Sequence, residues 1–152
     1  MLFETQALVN QSNFAVPQRV AAGIDPKRLT IILALLEKFG GISIGASDVF
    51  ASIAGGLKVS DASSDLALAL AIASSFLGIP LGRNLMAIGE LGLSGEVRGV
   101  SLLEQRLKEA SRQGIAEAIV PASGRIPDRL SGIKIVRIRG IGEAVSWLMD
   151  KK

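Results

Sequence analysis

Residues 48–77 read Asp48-Val-Phe-Ala-Ser-Ile-Ala-Gly-Gly-Leu-Lys58-Val-Ser-Asp-Ala-Ser-Ser-Asp65-Leu-Ala-Leu-Ala-Leu-Ala-Ile-Ala-Ser-Ser-Phe-Leu77. Residues 48–54 carry β-branched and aromatic side chains and run into Gly55-Gly56, which predicts a short strand and a turn. Ser60 or Asp61 then supplies the N-cap of a helix that continues to residue 77. Leu and Ala occupy nearly every side of it, so the helix is expected to be buried all round. Upstream, residues 2–9 and 19–24 are read as strands, split by the polar, Pro-containing loop 10–17. Asp25-Pro26 pairs an N-cap with a proline at the first helical position, Leu29, Ile32, Leu33 and Leu36 follow at helical spacing, and Gly40-Gly41 ends the helix. Downstream, residues 85–90 and 96–100 are predicted strands about a Gly-rich turn. Helix 102–113 turns Leu103, Leu107 and Ala110 inward and Glu104, Arg106 and Lys108 outward, and Gly114 stops it. Residues 118–120 and 133–138 are two further strands joined by a Gly- and Pro-containing loop. The last helix places Ile141, Ala144, Val145 and Leu148 on one face. Early strands followed by alternating strands and helices predict a two-layer α/β, or α+β, domain over residues 1–152.

The residue types that are missing exclude whole chemistries. The 152 residues contain no Cys and no His. Disulfides, thiol nucleophiles, thiolate zinc sites, Ser-His-Asp triads and imidazole metal ligands are therefore ruled out, and acid–base work would fall to a carboxylate or a Lys. Mean hydropathy is high at +0.43. Even so, the apolar stretch 66–73 is soon broken by Ser74-Ser75, Gly78 and Pro80, well short of the roughly 20 residues a bilayer needs. No basic segment precedes an apolar one at the N-terminus, so a cytoplasmic protein is expected.

Charge is distributed unevenly. Of a net +3, residues 98–139 hold +5 and the remainder −2. Such an excess serves either as a solvated surface or, gathered on one face, as a seat for phosphates. With no Tyr and few other aromatics, base stacking is a poor fit, and any nucleic-acid contact is expected to be to the backbone and salt-sensitive. Gly55-Gly56-Leu57-Lys58 is not a Walker loop, because Leu57 separates Gly from Lys and Val59 stands where Ser or Thr is required. Ser63 lies at the predicted start of the buried helix, where free backbone N–H groups can stabilise an oxyanion. It is a nucleophile if a Lys or carboxylate serves as base, and otherwise an ordinary first-turn residue like Ser60 and Ser64. Asp65 has the same choice, since an acid in a first helical turn is favoured by the dipole alone.

Taken in order, Asp48-Val-Phe-Ala-Ser-Ile-Ala-Gly-Gly-Leu-Lys58, Ser63-Ser-Asp65-Leu-Ala, Gly89-Glu-Leu-Gly-Leu-Ser-Gly-Glu-Val-Arg98, Glu104-Gln-Arg-Leu-Lys-Glu-Ala110 and Ala118-Ile-Val-Pro121 closely resemble one family. It is the C-terminal Lon-protease-like domain of the bacterial RadA (Sms) DNA repair proteins, and the resemblance runs over nearly the whole chain. It implies a fold like domain 2 of ribosomal protein S5 and the Lon proteolytic domain. It also implies that this is the C-terminal domain alone. The zinc finger and RecA-like ATPase of the family, with their zinc and ATP, lie outside it, and neither metal nor cofactor is expected here.

Set against Lon, residues 58–65 fall on the motif Pro-Lys-Asp-Gly-Pro-Ser-Ala-Gly, with the nucleophile at Ser63 and with Ser64 and Asp65 replacing Ala-Gly. The dyad Lys falls on Glu104, and Lys108 lies one helical turn further on. A Ser-Lys dyad needs a neutral amine to take the serine proton, and a carboxylate is a far weaker base. The resemblance therefore implies a non-proteolytic domain with no catalytic residue, one that supports assembly into a homo-oligomer, a hexamer, and contacts DNA during recombination and branch migration. DNA phosphates would meet Lys58 and Arg98, which match the family's Gly-Gly-Leu-Lys and Gly-Glu-Val-Arg, and then Arg106, Lys108 and Arg112. Other recombination proteins are further expected partners, and no membrane is. The competing reading is a residual Lon-like serine peptidase that uses Ser63.

Overall fold

The computed structural model describes residues 2–54 and 61–152. Strand β1 (Thr5–Gln11) is followed by β2 (Arg19–Ala22), helix α1 (Pro26–Lys38) and β3 (Ser47–Ile53). Asp25 accepts the Lys27 N–H at 2.9 Å and Pro26 opens α1, as the local signals require. β3 lies between β1, antiparallel to it, and β2, parallel to it. The first strand sits later than residues 2–9 because its partner sets its length: pairing continues to Gln11 opposite Ser47, carrying β1 into residues whose polarity reads as loop.

A single turn of 3-10 helix (Ala62–Ser64) leads into α2 (Asp65–Leu77), which closes on Gly78 in the left-handed region at φ 68°. No residue of α2 is exposed, as its all-round Leu/Ala pattern demands. Strand 85–90 is interrupted. β4 (Leu85–Ala87) ends early and β5 (Glu90–Leu91) pairs instead with β6 (Val97–Arg98). Between them the Gly89 N–H donates to the Ser63 carbonyl at 2.9 Å, and the Gly89 carbonyl accepts the Leu66 N–H at 3.1 Å. The chain thus leaves one sheet to brace the start of α2. A Cβ on Gly89 would lie 2.6 Å from Val97 Cγ1, so only glycine fits there.

Helix α3 (Leu103–Arg112) precedes β7 (Glu117–Pro121), β8 (Arg129–Leu130), β9 (Ile133–Ile138) and α4 (Ile141–Met149). The second sheet runs β4-β7-β9-β8. The loop expected between residues 120 and 133 contains β8, turned into β9 by Ser131 and Gly132 at φ 51° and 84°, the signature of a tight hairpin. The architecture is α+β with open sheets. Its main core joins α1, α2 and α4 to the first sheet, and a smaller cluster seats Leu103, Leu107 and Ala110 of α3 against Ile88, Ala118, Val120, Ile133 and Ile135.

Candidate functional site

Ser63 sits in the turn that launches α2, and the backbone donors around it are already engaged. Its N–H donates to Asp61 Oδ1 at 3.0 Å and the Ser64 N–H to the Asp61 carbonyl at 3.2 Å. The Asp65 N–H goes to the Ala62 carbonyl and the Leu66 N–H to Gly89. The N–H groups of Ser63, Ser64, Asp65 and Leu66 are therefore spent on capping and on the brace from Gly89, and an oxyanion would find no free donor among these four.

The Ser63 side chain meets Arg106, whose Nη1 donates to Ser63 Oγ at 3.0 Å and lies 3.6 Å from Asp61 Oδ2. Arg106 thus corrects its expected outward placement. It stands beside the buried stripe of α3, and the Asp61 carboxylate and Ser63 hydroxyl draw it in to a half-buried position. The Ser63 N–H bonded to its carboxylate holds Asp61 below the usual carboxylate range, and the Arg106 charge acts in the same direction. The three side chains open onto a groove of about 1100 Å³ whose lining includes Phe3, Ala67, Ala71 and Leu85.

The other predicted positions lie elsewhere. Glu104, on the Lon dyad position, is exposed and pairs with Lys108 at 3.4 Å. Arg112 pairs with Glu109 at 3.0 Å, and Arg98, at the end of β6, lies 3.6 Å from Glu96. Lys58 falls outside the described residues. Arg106 and Glu109, the partner of Arg112, line the Ser63 groove, whereas Lys108 and Arg112 themselves are exposed and are not among its walls. Asp65 is in the interior. It accepts the Leu91 N–H at 3.1 Å and binds Arg28 through Nη2 and, at 3.3 Å, through Nε. Its place in a first helical turn is readable from sequence, but its partner 37 residues away is not. Among the described residues no three Asp or Glu side chains converge to hold a metal ion, and no helix is long and apolar enough to cross a membrane.

A family model described as subunit ChlI of Mg-chelatase matches residues 25–124. The DNA repair protein RadA of Pseudomonas aeruginosa is 42% identical over 150 residues, 99% of this chain and 33% of that protein. RadA of Escherichia coli is likewise 42% identical over 150 residues, with the same coverage. RadA of Bacillus subtilis is 39% identical over 146 residues, 95% of this chain and 32% of its own length. The chain spans about a third of the length of the curated relatives it matches. It belongs to the family described as subunit ChlI of Mg-chelatase and is a RadA-related domain.

Proposed function

We propose that this chain is a non-proteolytic oligomerisation and DNA-binding domain of a RadA-type DNA repair protein, acting in the cytoplasm in recombination and branch migration. In this reading it assembles as a homo-hexamer with an S5-domain-2-like, Lon-like fold, meets other recombination proteins, and leaves ATP and zinc to other parts of a longer protein. The observation that carries the non-proteolytic half is the guanidinium on Ser63 Oγ. Arginine stays protonated in proteins and cannot take the serine proton. Asp61, the nearby carboxylate, is held below its ordinary range and is a poorer base than a free one.

Incubation with unfolded casein, or with an acylating serine probe, is expected to give no turnover and no covalent label. Labelling that disappears in Ser63→Ala would restore the peptidase reading. The DNA half is supported by the names of the relatives and by the +5 carried on residues 98–139. Every described cation of the candidate set already has a carboxylate within 4.0 Å, so binding by this domain competes with internal ion pairs and is weak. Lys58→Ala and Arg98→Ala are each expected to lower the slope of log affinity against log salt by about one. An unchanged slope in both, measured by fluorescence anisotropy, removes these two residues from the interface.

A further inference from the structure

Away from the Ser63 groove, the turn that leads from β6 into α3 meets the loop after β7. The two enclose a cleft of about 300 Å³, lined in part by Gly99, Leu103, Glu104, Ser123 and Arg125. Glycines set how closely the walls approach. A Cβ on Gly99 would stand 3.2 Å from Ser123 Oγ, and one on Gly124 would stand 3.0 Å from Leu103 Cδ2. Arg98 directly precedes Gly99, so Arg98 and Arg125 are carried on two segments that touch.

Of the two charges here, Arg125 differs from every described candidate cation in having no carboxylate partner among the described residues. Arg98 is exposed and only loosely held by Glu96, at 3.6 Å. Arg125 is exposed and, among the described residues, makes no ion pair and no side-chain hydrogen bond. The exposed Ser123 hydroxyl is a donor in the cleft wall. Glu104 opposes an anion, although Lys108 at 3.4 Å offsets part of its charge.

We infer that this cleft takes a backbone phosphate of bound nucleic acid, with Arg125 supplying the charge and the Ser123 hydroxyl a hydrogen bond, and with Arg98 on the adjoining segment. The inference rests on the DNA-binding reading above and adds to it a residue, Arg125, and a place. It requires charge at position 125 and a penalty from Glu104. A labelled 30-nucleotide oligothymidylate is titrated with the 152-residue chain by fluorescence anisotropy over a range of salt concentrations. Arg125→Gln is expected to lower the salt slope by about one, and Arg125→Lys to retain it. Glu104→Gln is expected to bind about 2- to 5-fold tighter, the range of one exposed charge pair.

Arg125 is an exposed loop residue, so its replacement leaves the core intact, and a melting curve on each variant verifies this. Binding by the unaltered chain with no change in Arg125→Gln, or with equal loss in Arg125→Lys, overturns the cleft and leaves the DNA-binding reading standing. Weaker binding by Glu104→Gln also overturns it. Absence of binding by the unaltered chain at low salt overturns both.

Discussion

Arg28→Met is expected to destabilise the domain by about 2–3 kcal/mol at neutral pH, because it leaves a carboxylate in the interior without its counter-charge. The Asp65 side chain is 4% exposed, while that of Arg28 keeps 32% of its surface in contact with water. That partial exposure places the expected cost below what a fully enclosed pair shows. The bond ties α1 to the first turn of α2, and the Leu91 N–H on the same carboxylate brings in β5. Burial pushes the Asp65 carboxyl above the usual range, and the Leu91 N–H and Arg28 only partly offset it.

A raised folded-state value means that the folded chain holds this proton more tightly than the unfolded chain does. Stability from this group is therefore present at low pH and lost as pH rises through the folded value. Removing Arg28 takes away one of the offsets and raises the folded value further. The penalty of Arg28→Met should consequently be largest near neutrality and shrink as pH falls toward about 4, the ordinary carboxylate value. Urea denaturation at both pH values checks this, and Arg28→Met/Asp65→Asn should be more stable than Arg28→Met alone. A penalty that does not shrink in acid would mean that the loss is one of packing and not of charge.

This pair marks the limit of what the sequence discloses. Three of the four helices were legible from their own punctuation: Asp25-Pro26 opens α1, Gly78 closes α2, and Gly114, at φ 90°, follows α3. Core faces were legible for the same local reason, with Leu103, Leu107 and Ala110 of α3 and Ile141, Ala144, Val145 and Leu148 of α4 buried as spaced. Strand ends were not, since β1 runs to Gln11 only because Ser47 lies opposite, and residues 85–90 split only because Gly89 turns to Ser63 and Leu66.

The surroundings of Ser63 show the same boundary. The Lon comparison assigns Glu104 to the dyad position, whereas the residue that touches Ser63 Oγ is Arg106, two positions later. Two residues along a helix amount to about 200° of rotation, so the two side chains leave α3 in nearly opposite directions. Nothing in the local pattern of α3 reveals Asp61, and it is Asp61 and Ser63 together that draw Arg106 inward.

Leu107→Ala is expected to cost about 3–4 kcal/mol, the range for a leucine truncated in a packed interior. Leu107 is fully buried, and with Leu103 and Ala110 it seats α3 on the smaller cluster, apart from the core that α1, α2 and α4 share. Glu104, Gln105, Lys108 and Arg112 on the remaining surface of α3 are exposed and add no burial to replace it. The loss should therefore be felt first in α3. Its amides are expected to exchange with solvent much faster than in the parent protein, while those of α2 stay protected to nearly the new global limit. The contact from Arg106 to Ser63 loosens along with them, because α3 is the element that carries it. A lowered urea midpoint with an unchanged denaturant slope, together with selective exchange in α3, is the expected result. Uniform acceleration across α2 and α3 would show instead that the two clusters unfold as one cooperative unit, and that α3 cannot open while the rest of the domain remains folded.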